Sequence, residues 1–582
     1  MSHRYSQVPC GRYVLCRAAS DDELANKKAS MQLADNNHGS KGHSAILIAL
    51  MILGAYLLIT TRATLWDRDE PRFARATVEM VESGDYLVPT FNGEWRLHKP
   101  ILIYWLMSLP VRLLGPTELA CRFFAAVGTA VTCLLTFLIA RRLFDVKAGL
   151  WAMLVPASSI MIMYIGTAAT ADAVLLPCML GVIVVFVYTL DHKMRVADMI
   201  LMAVAIGLAQ LAKGPVALLS VIVIPVTLLV GRRQSIRRGK YLWPVVFATI
   251  AGALVFLAWA LPANSATGGE FFRFGVGKHV VGRSVNPMEH HGGEFLLYLP
   301  YYLPVILIGF FPWTLYLAGA VSAVLGGRLG AKFRSLFIAW CATILIFMTL
   351  VATKLPHYIL FIWPAMALAV AGTIRAAQKQ QLAERDLRWL NRGVWFFAPI
   401  VIAGVGGLIA APMLIDVPGL AVPAIGCAVV LAAMGIIAIR TQYGKGPLAG
   451  AKVLLAGMVV FQVPFLFGVL PAVERVKISP ALAAVIKEHV APDEPLAAYK
   501  FIEPTLVFYA GRNIEHFRAA ADVVEWAKQP GDRALVIPAD ALEELQQQYG
   551  PLNLHIAGRK LGYNYAKGRT REVLVLTGGR PD

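Results

Sequence analysis

Residues 65–104 read LWDRDEPRFARATVEMVESGDYLVPTFNGEWRLHKPILIYW and place Asp67, Asp69, Glu70, Arg72, Arg75, His98 and Lys99 between long apolar runs. Acids and bases crowded at the edge of a membrane suit chemistry on a charged, lipid-borne substrate. More ionisable groups sit at the ends of apolar segments: Asp172 in TAATADAVL, Lys213 in LAKGP, and Lys354 in VATKLPHYIL, with His357 and Tyr358 beside it. Residues 263–296 add Arg273, Lys278, His279, Arg283, His290 and His291. A charge at mid-bilayer costs about 2.5–3.5 kcal/mol on insertion scales, so each of these needs a reason. Simpler reasons compete with chemistry. A lysine at a span end snorkels to the headgroups, and Asp69 can cap a helix. The histidines show no HxxxH or HExxH spacing.

The positioning elements follow from hydropathy. Apolar residues make up 57% of the 582, and the mean hydropathy is +0.61. That excludes an ordinary soluble enzyme, and the absence of barrel-like alternation leaves transmembrane helices. Thirteen spans are expected, near 44–61, 119–140, 146–165, 172–190, 197–212, 214–231, 242–262, 297–325, 335–352, 356–374, 393–412, 418–439 and 450–471. With the N-terminus inside, the inner turns at 141–147, 191–196, 232–240, 327–334, 375–392 and 440–449 are all basic, while the short outer turns carry only Lys213 and Lys354. Under the positive-inside rule this predicts N-in, C-out and puts every candidate group on the outer side. It also accounts for most of the net charge of +18. No CxxC pair among the seven cysteines suggests a disulfide framework or a thiolate metal site.

Three parts are expected: a cytoplasmic tail 1–43, a transmembrane domain 44–471 with outer loops 62–118 and 263–296, and a C-terminal domain 472–582. The last alternates strand-like runs (PLAAYKFI, TLVFYAG, RALVIPA, EVLVLTG) with helix-like ones (SPALAAVIKEHV, AADVVEWAKQ, ADALEELQQQYG), which predicts a small α/β domain. In the first loop, Pro71 suits a first helical turn with Asp69 at or near its cap, and Gly84-Asp85 ends the helix. Pro100–Leu114 reads as a second helix lying along the interface.

At these residues the chain resembles lipid-linked-sugar glycosyltransferases of the GT-C class, whose first outer loop carries an acidic pair, a helix ending in SGD, then KP and an aromatic-rich helix. The likeness continues through TAATADAV, LAKGP, FFRFGVGKHVVGR, MEHHGGEFLLYLPYYLPV, FFPW and KLPHYIL, and covers roughly residues 44–375. The members most similar are bacterial enzymes that move 4-amino-4-deoxy-L-arabinose from undecaprenyl phosphate to lipid A phosphates. The resemblance implies an α-helical polytopic GT-C fold in the bacterial inner membrane, with the site and C-terminal domain periplasmic. It implies an undecaprenyl-phosphate-linked donor, a lipid A acceptor, surrounding membrane lipids and no nucleic acid, in a protein expected to act as a monomer. Resistance to polymyxin and other cationic peptides would follow. His98 stands where relatives often carry Glu; with His279 it is the candidate pair for a divalent metal (Zn or Mg), and no organic cofactor is expected.

Transfer from such a donor passes through an oxocarbenium-like state with negative charge growing on the leaving phosphate. Lys99, Arg72 and Arg283 are the expected phosphate clamp, with Lys213, Lys354 and Tyr358 behind them. Asp69 and Asp172 are the candidate catalytic acids, together with Lys99. A phosphate acceptor is already anionic and needs positioning more than a base, whereas a hydroxyl acceptor would make Asp69 a general base. Two alternatives stay open: a related GT-C enzyme using another polyprenyl-linked sugar or a protein hydroxyl, and a membrane transporter. Charges clustered on one face and no visible inverted repeat disfavour the transporter.

Overall fold

The computed structural model describes residues 43–66, 68–231, 239–282, 298–529, 532–564 and 568–578. Among them are ten helices long and apolar enough to cross a membrane, and two further pairs, Val146–Ala157 with Ile160–Gly166 and Leu299–Gly309 with Thr314–Leu325, each bent at a short break. One of the ten, the run Val196–Val230, is two crossings. Its Lys213 lies beside Asp172 at the start of the helix Ala171–Tyr188. The next helix begins at the opposite end, where Lys240 donates to the carbonyls of Thr189, Leu190 and His192. The chain must therefore cross back through Leu219–Val230. It reverses at the 3₁₀ turn Gly214–Leu218, where Gly214 takes φ +70, a conformation that favours glycine. Splitting that run and counting each bent pair once gives the thirteen crossings expected from sequence.

Ion pairs gather the loops of the basic face. Asp191 meets Arg142 and Lys332, and Asp145 caps Val146–Ala157 while pairing with Arg375 and Lys379.

On the opposite face, the first loop folds as two helices and a hairpin. The helix Asp69–Ser83 ends at Gly84, whose φ of +73 lets its N–H reach the Met80 carbonyl. The sequence placed Asp69 at or near the cap. In the structure Arg68 is the cap residue, with no side-chain capping bond, and Asp69 is the first helical residue. Glu79 then ties this helix to the hairpin of β1 (Thr90–Phe91) and β2 (Glu94–Trp95), accepting from Thr90 Oγ1, Asn92 N and Gly93 N. The second helix, Leu102–Leu114, exposes Leu109, Leu113 and Leu114, as an interfacial helix would.

One buried ion pair fastens this loop to the bundle. Arg122, 2% exposed inside the span Glu118–Leu143, uses all five N–H groups. Nε and Nη2 donate to Glu70 at 2.8 and 2.7 Å, and the other three reach the carbonyls of Thr60, Ala63 and Thr64. Glu70 completes its own shell with the N–H groups of Trp66 and Ala169. A charge pair this deep is tolerable because every donor and acceptor is satisfied.

The C-terminal region holds a five-stranded mixed sheet in the order β4-β3-β5-β7-β6. Its strands are β3 (Leu496–Tyr499), β4 (Glu515–Phe517), β5 (Ala534–Pro538), β6 (His555–Asn564) and β7 (Arg569–Thr577). The three expected helices form. TLVFYAG, read as a strand, is instead the helix Pro504–Ala510. Pro504 in its first turn and Gly511 in the left-handed conformation after it outweigh the β-propensity between them.

Arg122→Met leaves Glu70 buried and unpaired, which costs about 3–5 kcal/mol for a buried pair. The variant is expected to melt well below the wild type in detergent; an unchanged melting temperature would contradict the role given to this pair.

Candidate active site

Two sections of the first loop deliver its polar groups to the bundle. Arg96 fixes the stretch after β2: its N–H donates to the Pro89 carbonyl, its Nε donates to the Tyr104 hydroxyl at 3.0 Å, and its guanidinium lies over the Phe73 ring. That holds Leu97–Pro100 beside the turn at Gly214, and both line the same cavity. His98 and Lys99 are thereby presented to a cavity of about 220 Å³.

The cavity has two ends of different chemistry. At the polar end stand Lys99, Asp172, Lys213, His357 and Tyr358. Lys213 Nζ lies 2.5 Å from Asp172 Oδ1 and 5.3 Å from the centre of the Tyr358 ring. His357 Nε2 lies 3.9 Å from the other Asp172 oxygen, beyond direct hydrogen-bond reach. Lys99 acts electrostatically on both Asp172 and His357, and Asp69 on His357. The polar end thus carries two lysines, Lys99 and Lys213, around one carboxylate, Asp172, which Lys213 binds. The rest is apolar: Leu176 and Met179 from one helix, Ile344 and Phe347 from Ala331–Leu350, and Leu360 and Phe361. Lysines at the head of an apolar slot suit an anion that carries a long hydrocarbon.

The structure therefore brings together Lys99, Asp172, Lys213 and Tyr358 from the expected set, with His98 beside them. Asp69 and Arg72 sit on the first turn of the helix anchored by Glu70. Asp69 is exposed and makes no hydrogen bond or ion pair among the described residues, and Arg72 is half-buried. Neither lines the cavity. Lys354 is also outside the wall. Its ammonium donates to the carbonyls of Met348, Thr349 and Val351, capping the end of Ala331–Leu350, and burial lowers its pKa. Its Nζ also lies 6.0 Å from the centre of the Tyr302 ring. Arg283 lies outside the described residues, as do Asp67, His290 and His291; His279 belongs to the segment Phe271–Gly282, but its side chain is not among those described.

His357 and the Glu70–Arg122 pair are the groups that sequence reasoning did not select. His357 was in view beside Tyr358, but without a partner in the sequence it carried no more weight than any lone histidine. Arg122 had a readable signal, a charge inside an apolar span.

A bound divalent cation needs several converging donors. Among the described residues no three His, Cys, Asp or Glu side chains converge. Asp172, the acid on the wall, is already neutralised by Lys213, and the His98 ring packs edge-on against Phe274.

Known proteins share this fold and this loop. Residues 98–259 match the family model described as dolichyl-phosphate-mannose-protein mannosyltransferase. The chain is 29% identical over 375 residues, 63% of its length and 66% of the relative's, to undecaprenyl phosphate-alpha-4-amino-4-deoxy-L-arabinose arabinosyl transferase 2 of Proteus mirabilis. It is 29% identical over 435 residues, 72% of its length and 76% of the relative's, to the transferase of that name from Pectobacterium carotovorum. A crystal structure of ArnT from Cupriavidus metallidurans bound to undecaprenyl phosphate superposes with a TM-score of 0.73 at 20% identity, covering 92% of this chain and 98% of that one. In fold and along much of its length the chain is similar to membrane glycosyltransferases of the GT-C class, those that depend on a polyprenyl-phosphate sugar. Within that class, the relatives it resembles are the aminoarabinose transferases just named.

Asp172 and Lys213 should behave as one unit. Asp172→Asn, Lys213→Met and the double variant are expected to be strongly non-additive in transfer rate, with a coupling on the order of 1–3 kcal/mol. Additive losses would mean that the pair does not act together.

Proposed function

We propose that this chain transfers 4-amino-4-deoxy-L-arabinose from undecaprenyl phosphate to phosphate groups of lipid A, at the periplasmic face of the bacterial inner membrane. The observation that carries the reading is the cavity itself: two lysines and a paired aspartate at the head of an apolar slot. The slot suits a polyprenyl chain and the head a phosphodiester. The names of the relatives supply the sugar. The basic turns opposite the site support an N-terminus in the cytoplasm and a periplasmic site.

In this reading the donor phosphate lies between Lys99 and Lys213. As the bond from the anomeric carbon to the phosphate oxygen breaks, the electron pair goes to that oxygen, and the two ammonium groups hold the growing charge. A lipid A phosphate oxygen attacks the anomeric carbon from the other face and forms the new glycosyl phosphate bond. The acceptor arrives already ionised, so the protein's work is to align two anions that repel each other. Asp69, exposed at the start of its helix, is proposed to receive the sugar's ammonium or to orient the acceptor, and Arg72 to steady the acceptor phosphate. Arg283 and Tyr358 are proposed to complete the clamp. Lys354 supports it indirectly, by fixing the turn that carries His357 and Tyr358.

No step here runs through a metal. Dialysis against EDTA is expected to leave transfer intact. A loss restored by zinc or magnesium would return His98 and His279 to the role of a metal pair.

Mass spectrometry of lipid A from cells with and without this protein tests the substrates together. Gain of an aminopentose on a phosphate is the expected result, with a rise in polymyxin tolerance. Another sugar, or a modified protein with lipid A unchanged, would assign the chain to a different GT-C reaction. Lys99→Ala is expected to lower transfer by about 10²–10³, the typical cost of one donor to a developing oxyanion, with folded yield unchanged. Full activity in that variant would remove Lys99 from the clamp.

A further inference from the structure

The loop that carries Asp69, Arg72 and Lys99 is held from two sides. Arg122 holds it from the bundle. On its other side stands the C-terminal region, more than four hundred residues away in sequence. Tyr509, on the helix Pro504–Ala510, accepts from Leu65 N at 2.8 Å and donates to Glu118 Oε1 at 2.7 Å. One hydroxyl thus spans the loop and the span that carries Arg122. Burial, then the Glu118 carboxylate, raises the Tyr509 pKa, so the hydroxyl keeps the proton it donates.

A second joint lies at the hairpin. Asn92 Nδ2 donates to the Ile514 carbonyl at 2.8 Å, and Ile514 N–H donates back to Asn92 Oδ1 at 2.7 Å. Asn92 itself sits at φ +58 between β1 and β2, and its N–H is bound by Glu79 of the Asp69–Ser83 helix.

A third joint is at the linker. Lys477, 2% exposed, lies 2.6 Å from Glu474, donates to Thr64 O and Oγ1 at 3.1 and 2.8 Å, and sits 3.8 Å from the centre of the Trp66 ring. Apolar packing interlocks the parts as well. Phe508 belongs to the core that contains Leu65 and Phe73, and Phe91 packs against the core of the C-terminal sheet.

Three directional joints and two exchanged aromatic rings are more than a tether needs. The three joints and Phe91 fall on residues 64–66 or 91–92, either side of the helix that begins at Asp69. We propose that the C-terminal α/β domain is a positioning brace for the substrate-facing loop, acting on catalysis through Asp69, Arg72 and Lys99 without touching substrate. The inference rests on the reading of this site as a glycosyl transfer centre. Tyr509 and Asn92 are its positioning residues.

Two variants test it in the full-length protein, normalised to folded material. Tyr509→Phe keeps the ring and removes both hydrogen bonds. Asn92→Ala loosens the hairpin joint from the loop side and serves where Tyr509→Phe folds poorly. The expected result is faster amide hydrogen exchange across residues 65–100 with the spans unaffected. With it, kcat should fall at least tenfold, with the donor KM within about twofold. Exchange that matches the wild type would overturn the brace, as would faster exchange with kcat unchanged. Because exchange is read without any assay of transfer, failure of the brace and failure of the functional reading are seen separately.

Discussion

The Glu70–Arg122 pair is the constraint on which the site depends. Two opposite charges are taken out of water together, and their cost is met because all five guanidinium N–H groups and both carboxylate oxygens are occupied. The partners are chosen by position. They are the end of the first span at Thr60, the entry to the first loop at Ala63–Trp66, and Ala169, three residues before Asp172. One interaction therefore sets the first turn of the Asp69–Ser83 helix and the start of the helix bearing Asp172 at a fixed separation. A site assembled from loop and spans needs such a fixed point, since reacting groups lose rate steeply with misplacement.

From that point the remaining parts follow in order. Glu79 carries the hairpin, Arg96 carries Leu97–Pro100, and Lys99 is delivered over the apolar slot where Asp172 and Lys213 meet. Lys354 does similar work from the other side, holding the end of Ala331–Leu350 by three carbonyls just before His357 and Tyr358 turn into the cavity. The site thus divides its charges by task. Arg122, Arg96, Glu70, Glu79 and Lys354 are spent on architecture, while Lys99, Lys213 and Asp172 line the cavity.

Much of this was legible in the residues, and the reason is physical. Lipid forces long apolar runs and a Lys/Arg bias between them, so the crossings and the shared face of Asp172, Lys213 and Lys99 could be read directly. Even the reversal at Lys213-Gly214 was visible, as a charge and a glycine inside one apolar stretch. What could not be read was pairing over distance. Glu70 looked like one acid of a crowd until Arg122, fifty-two positions on, was seen to saturate it. Lys354 looked like Lys213, yet one is bound to carbonyls and the other to a carboxylate. His357 became informative only when Asp172 came within 3.9 Å. TLVFYAG misled because apolar, β-branched and aromatic residues say little about a short buried helix whose ends are set by Pro504 and Gly511.

In the proposed reading an anionic lipid headgroup sits between Lys99 and Lys213 with its tail in the slot. Photo-crosslinking of the purified protein with a polyprenyl phosphate carrying a diazirine near its first isoprene unit tests this directly. Adducts are expected on the slot wall, at Leu176, Met179, Phe347 and Phe361, and are expected to disappear when unlabelled undecaprenyl phosphate competes. Adducts spread over the outward faces of the spans, unaffected by competitor, would contradict it.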